Sequence, residues 1–108
     1  MSVEFEKNWD IEEQRRFWND WDREHLSETT IGADALRRCG VALELLRSCG
    51  LRRPRIVEFG CGNGWLAEKL VKFGPVTGID LADHAIEEAR RRVPEGNFLC
   101  GDALNMDL

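Results

Sequence analysis

A chain of 108 residues has room for one domain of modest size. Its 43% hydrophobic content is enough for a core, and its net charge of −5 disfavours a nucleic-acid partner, which needs a basic surface. No apolar run approaches the roughly 18 residues of a membrane span, and the opening Met1-Ser2-Val3-Glu4-Phe5-Glu6-Lys7 lacks the apolar stretch of a secretory signal, so the chain reads as cytoplasmic.

Residues 1–52 read as N-terminal helices. Asp10 caps the first, with Glu13 as its capping-box partner. Gln14, Phe17, Trp18, Trp21 and His25 then recur at helical spacing on one face. Together with Trp9 these rings are expected to pack the helix onto the sheet layer, in preference to facing a ligand. A second helix is predicted from Ala33 to Cys49, with Leu36, Cys39, Leu43 and Leu46 as its apolar stripe and Gly50 as its stop. The arginine clusters Arg37-Arg38, Arg52-Arg53 and Arg90-Arg91-Arg92 read as solvated cations at helix ends. The cysteines, Cys39, Cys49, Cys61 and Cys100, contain no C-x-x-C pair, so no metal is expected and the thiols read as reduced, half-buried packing groups.

After Arg52-Arg53-Pro54 the periodicity changes, and residues 53–108 read as a βαβαβ unit. Strands are predicted at Ile56–Phe59, Val76–Ile79 and Phe98–Cys100. Between them, Leu66, Leu70 and Phe73 mark one helix face and Ala82, Ile86, Ala89 and Val93 another. Strands separated by helices of this length imply a parallel sheet. The fold class is therefore α/β, a Rossmann-like partial doubly wound sheet of about three strands preceded by helices.

The chemistry concentrates in Glu58-Phe59-Gly60-Cys61-Gly62-Asn63-Gly64-Trp65, which follows a predicted strand and opens a predicted helix. Glycines in this context let the backbone turn sharply and let a ligand approach without a Cβ in the way. The third glycine of a dinucleotide fingerprint is replaced by Trp65, and no G-K-[S/T] follows, which excludes a P-loop. The spacing E-x-G-x-G-x-G closely resembles motif I of the class I S-adenosylmethionine-dependent methyltransferases. The resemblance extends to Asp80 at the end of the second strand and Asp102 after the third, and covers roughly residues 55–104.

That resemblance implies S-adenosyl-L-methionine as cofactor, bound by Glu58, Gly60, Cys61, Gly62, Gly64, Asp80, Leu81, Asp102 and Ala103. Asp80 would accept from the ribose hydroxyls and Asp102 would reach the adenine amino group, while Leu81 and Ala103 touch the adenosine. Glu58 would lie near the methionine ammonium; a strand-end carboxylate holding the loop amides is its structural alternative. Asp102 also fits ordinary turn chemistry. Cys61 reads as a small backbone-presenting position and not a nucleophile, and His25 and His84 as surface or helix-end residues; no catalytic base is nominated.

The implied function is methyl transfer to a small-molecule acceptor, with this chain supplying the cofactor-binding half. The family's sheet has seven strands, so residues 1–108 are expected to form a single, truncated domain that stops before the fourth. The first strand would then be a sheet edge, open to self-association. A non-catalytic cofactor-binding or interaction fragment is the alternative, and an NAD(P)-binding domain is the least favoured.

Overall fold

The computed structural model describes residues 9–25 and 32–107. The reading of Met1–Lys7 and the side chain of His25 lie outside the described residues. In chain order the elements are α1 (Ile11–His25), α2 (Ala33–Ser48), β1 (Ile56–Phe59), α3 (Ala67–Leu70), β2 (Val76–Asp80), α4 (Asp83–Arg92) and β3 (Asn97–Cys100), followed by a 3-10 turn at Ala103–Asn105. The strands form one parallel sheet in the order β1-β2-β3, with Glu58, Gly78 and Phe98 side by side in register. No helix among the described residues is long and apolar enough to cross a membrane.

The start of α1 forms as the sequence dictates. The Glu13 amide donates to Asp10 Oδ1 at 2.8 Å and the Asp10 amide to Glu13 Oε2 at 3.0 Å, which closes the capping box. The end of α2 is equally legible: Gly50 takes a left-handed φ of 67° just beyond the last turn. The helix between β1 and β2 is shorter than its periodicity suggests. Beyond Leu70 it tightens, with Phe73 donating to the Leu70 carbonyl at 2.9 Å as the chain approaches Gly74-Pro75.

The main core cluster lies on one face of the sheet, and Ile79 is buried on the other. Val76 and Phe98 from the strands meet Leu70, Ile86, Ala89 and Val93, with Leu43, Leu46, Ile56 and Leu66 packed around them. All four apolar positions marked for α4 are buried. On the opposite face of β1, Val57 and Phe59 are exposed, Phe59 to 60%.

Two sequence readings change here. Leu36, assigned to the packed stripe of α2, is exposed; only the later part of that stripe, Leu43 and Leu46, reaches the core. Arg37 and Arg38 do not sit at the dipole-favoured end of a helix. They lie near the N-terminus of α2, where both pair with Asp34, at 2.7 and 3.6 Å. A local carboxylate thus compensates a placement the helix dipole disfavours.

Candidate functional site

The site lies at the C-terminal ends of the parallel strands, where a doubly wound sheet presents its loops. β1 leads directly into the glycine turn, and Gly60 and Gly62 adopt φ of 71° and 54°. At neither position would a Cβ meet another atom within 4 Å, so the turn leaves space where side chains would otherwise stand. Gly64 differs. At φ 84° a Cβ there would lie 3.1 Å from both Ala89 Cα and Ala89 Cβ, so this glycine lets the turn pack against α4. Gly64→Ala is expected to destabilise the fold by about 1–3 kcal/mol, read as a lowered denaturant midpoint.

Asp80, at the end of β2, holds the turn. Its Oδ2 accepts from the Gly62 amide at 2.8 Å and its Oδ1 from the Ala82 amide at 2.9 Å. A carboxylate offers about four lone-pair positions, so acceptor capacity remains for a ligand. The structural role considered for Glu58, bonding to the loop amides, therefore belongs to Asp80. Glu58 Oε1 is buried with no hydrogen-bond partner among the described residues. Burial first, and the Asp80 charge second, push the Glu58 carboxyl up to about 7.

Cys61 is buried, and desolvation, followed by the charges of Asp80 and Glu58, pushes its thiol up to about 12. It is a neutral packing group, not a nucleophile. Asp102 does turn chemistry: Oδ1 accepts from the Leu104 amide at 3.1 Å and Oδ2 from Asn105 Nδ2 at 2.6 Å.

The wall opposite the glycine turn comes from α1. Gln14, Trp18, Trp21 and Asp22 line the cleft, and Trp18 and Trp21 are 48% and 47% exposed. These two indoles are cleft walls, contrary to the expectation that they pack the helix onto the sheet. A ladder of edge-to-face contacts links Trp9, Phe17, Trp18 and Trp21, with centroids 5.1, 5.0 and 6.3 Å apart. The rings stabilise one another along the helix instead of being spent on the core.

Polar contacts fasten α1 instead. Arg15 Nη1 donates to the Leu81 carbonyl at 3.2 Å. Asn19 spans the start of α4, donating to Asp83 Oδ1 at 2.6 Å and accepting from the His84 amide at 3.1 Å. The Asn19 hydrogen bond holds the Asp83 carboxyl below its ordinary range, against the smaller opposing effect of burial. Asp22, only 5% exposed, stands 3.1 Å from His84 Nδ1. His84 thus stands at a helix end, as the sequence reading allowed, and there it anchors α4 to α1. Asp22→Ala should leave β2 and α4 protected while amide hydrogen exchange speeds up across residues 11–25; uniform protection would remove this anchoring role.

The cleft has a volume of about 1090 Å³, ample for a drug-sized ligand. It brings together Gly60, Cys61, Gly62, Asp80, Leu81, Asp102 and Ala103 from the sequence-derived set, while Glu58 and Gly64 are not among its lining residues. Trp65, in the place of a third glycine, also lines it and carries Lys69 Nζ 5.6 Å from its ring centroid. The sequence reading missed Asn63, Arg38 and the Arg15–Asn19–Asp22 anchor. Asn19 and Asp22, polar residues a turn apart beside the tryptophans, were the only hint of the anchor. Among the described residues no group of histidine, cysteine or carboxylate side chains could hold a metal ion.

Residues 56–108 match the family model described as a methyltransferase domain. The chain is 45% identical over 53 residues to malonyl-[acyl-carrier protein] O-methyltransferase of Bacillus cytotoxicus, covering 44% of this chain and 19% of that protein. It is 42% identical over 62 residues to trans-aconitate 2-methyltransferase of Rhodopseudomonas palustris, covering 54% of this chain and 24% of that protein. The chain therefore spans about a fifth to a quarter of the length of these relatives. In fold it is similar to the magnesium protoporphyrin IX methyltransferase of Synechocystis with bound S-adenosylmethionine, with a TM-score of 0.75 at 17% identity, over 99% of this chain and 60% of that one.

Proposed function

Since this chain belongs, through residues 56–108, to the class I S-adenosylmethionine-dependent methyltransferases, we propose that it supplies the cofactor-binding half of a methyl-transfer site. The observation that carries this reading is the open glycine turn facing Asp80 at the ends of parallel strands. The residues present fit S-adenosylmethionine. Gly60 and Gly62 leave room for its backbone approach, and Glu58 offers a buried, unpartnered oxygen suited to an ammonium. Asp80 retains acceptor capacity for vicinal hydroxyls, with Leu81, Asp102 and Ala103 beside it for the adenosine.

When bound, the cofactor supplies a methyl group already activated by a sulfonium charge. The protein's part is to orient: Asp80 holds the glycine turn, Glu58 favours a cation, and the anchored α1 closes one side against water. Orientation of this kind contributes up to roughly 7–11 kcal/mol in favourable cases.

A small-molecule acceptor is favoured by the aromatic wall that α1 gives the cleft, although relatives named for the ribosomal protein L11 have a protein acceptor. The four cysteines are all free thiols, which supports a reducing, cytoplasmic setting. Calorimetric titration with S-adenosylhomocysteine, beside NAD, tests the cofactor assignment. Saturable binding of the first alone is expected; binding of NAD alone would overturn it.

A further inference from the structure

We infer that Gln14 of α1 reads the base of the cofactor, its side-chain oxygen accepting from the 6-amino group of the adenine. This rests on the cofactor reading above and names the residue that makes the site selective for adenosine.

The first observation is where α1 lies. Arg15 Nη1 donates to the Leu81 carbonyl at 3.2 Å and stands 3.8 Å from Cys100 Sγ, so this turn of the helix sits over the ends of β2 and β3 together. The two strand ends are also tied to each other. The Gly101 amide donates to the Asp80 carbonyl at 3.0 Å, and Cys100 Sγ stands 3.6 Å from the Leu81 carbonyl. Further along α1, Asn19 and Asp22 reach Asp83 and His84 at the start of α4. The helix thus runs from the strand ends towards α4, and Gln14 belongs to the strand-end part of it. There it lines the same cleft as Leu81, Asp102 and Ala103, the residues assigned to the adenosine.

The second observation fixes what Gln14 offers. Its Nε2 donates to the Trp9 carbonyl at 3.1 Å. A carbonyl can only accept, so this bond turns the NH₂ of the amide to Trp9 and leaves Oε1 as an acceptor. No donor among the described residues reaches that oxygen. The side chain is half-buried and uncharged, which suits it to a neutral base. Adenine supplies the matching group, a 6-amino with two N–H donors.

The third observation concerns Asp102, to which the family resemblance gives that amino group. Each of its oxygens already takes a donor of its own turn, Oδ1 the Leu104 amide and Oδ2 the Asn105 Nδ2. Asp102 shapes the turn that flanks the base, and Gln14 supplies the fixed acceptor across from it. A site built around such an acceptor rejects a ligand that lacks the donor, because the acceptor is then left unpaired.

The test uses the 108-residue chain and two ligands that differ at one group: S-adenosylhomocysteine and its analogue with hydrogen in place of the 6-amino group. Both are titrated by calorimetry into the wild type, Gln14→Leu, Gln14→Met and Asp102→Asn. The wild type should prefer S-adenosylhomocysteine by at least about fivefold, the factor for one neutral hydrogen bond. Both Gln14 variants should bring that ratio close to one while the analogue binds them about as well as it binds the wild type. A merely structural role would weaken both ligands equally and leave the ratio unchanged. Asp102→Asn should keep the preference even where it lowers both affinities. A preference that survives in Gln14→Leu and Gln14→Met, or one lost in Asp102→Asn alone, would overturn the proposal. Equal binding of the two ligands to the wild type would also overturn it and leave the cofactor reading standing. Failure of the wild type to bind S-adenosylhomocysteine at all would remove the cofactor reading and this inference with it.

Discussion

Asp80→Ala is expected to weaken S-adenosylhomocysteine binding by at least about 100-fold, the largest effect of any single change in the cleft. Two losses combine. The Gly62 and Ala82 amides lose their acceptor, so the glycine turn is no longer held in its open form. The ligand also loses the acceptor assigned to its ribose hydroxyls. Each hydrogen bond to a charged group is worth about 1.5–3 kcal/mol, so two such terms account for the expected factor. Asp80→Asn is the informative companion. Its amide oxygen can still accept one backbone N–H, but its NH₂ faces the other donor, so the turn should loosen on one side only. Calorimetry reads the affinity, and a urea midpoint on the ligand-free protein reads the turn. Unchanged affinity in Asp80→Ala would remove Asp80 from the ligand site.

Glu58 predicts a pH dependence with a definite sign. Its carboxyl is pushed up to about 7, by burial first and by the Asp80 charge second. The groups facing it are Asp80 from β2, Cys61 from the glycine turn and Cys39 from α2, and none of them is a cation. An incoming ammonium stabilises the ionised carboxylate. Below pH 7 binding must therefore expel a proton, and the affinity for S-adenosylhomocysteine should fall by up to about tenfold per pH unit. Above pH 7 the dependence should level off. Glu58→Gln should give a flat profile with weak binding throughout; a retained slope would assign the proton elsewhere.

The same shift has an opposite consequence for the empty protein. The folded state holds the Glu58 proton more tightly than the unfolded chain, whose carboxyl titrates near 4.5. This contribution to stability is fully present below pH 4.5 and is lost as pH rises to about 7. After allowance for screening by solvent around a half-buried group, the loss is about 1–2 kcal/mol. Glu58→Gln should therefore raise the unfolding midpoint of the ligand-free protein at pH 8 while it weakens binding. A stabilising substitution that costs affinity is what a group held for its ligand should show.

Local signals carried much of this protein's architecture. The Asp10–Glu13 capping box, the Gly50 stop and the four buried positions of α4 were legible because capping and helical periodicity act within a few residues. The three parallel strands were legible for a similar reason, since short apolar runs alternated with helical patterns. The glycine turn and the acidic residues at the strand ends were readable from spacing, because each occupies a set place relative to its own strand.

What each side chain does there was decided in three dimensions. Asp80 and not Glu58 ties the turn, because register brings the end of β2 beside Gly62 and leaves Glu58 Oε1 buried without a donor. Gly64 serves packing, because Ala89 of α4 arrives against it. Trp18 and Trp21 became cleft walls through contacts 62 to 66 residues apart in sequence, at Leu81, Asp83 and His84, which dock α1 by polar groups. Periodicity placed those rings on one face of a helix; it held no information about what that face would meet. By itself the sequence determined the elements and the chemistry of the glycine turn, since both rest on local geometry. Only the tertiary structure decided which carboxylate is satisfied, which is left poised for a cation, and which aromatic rings face the cleft, since each depends on a neighbour supplied from a distant segment.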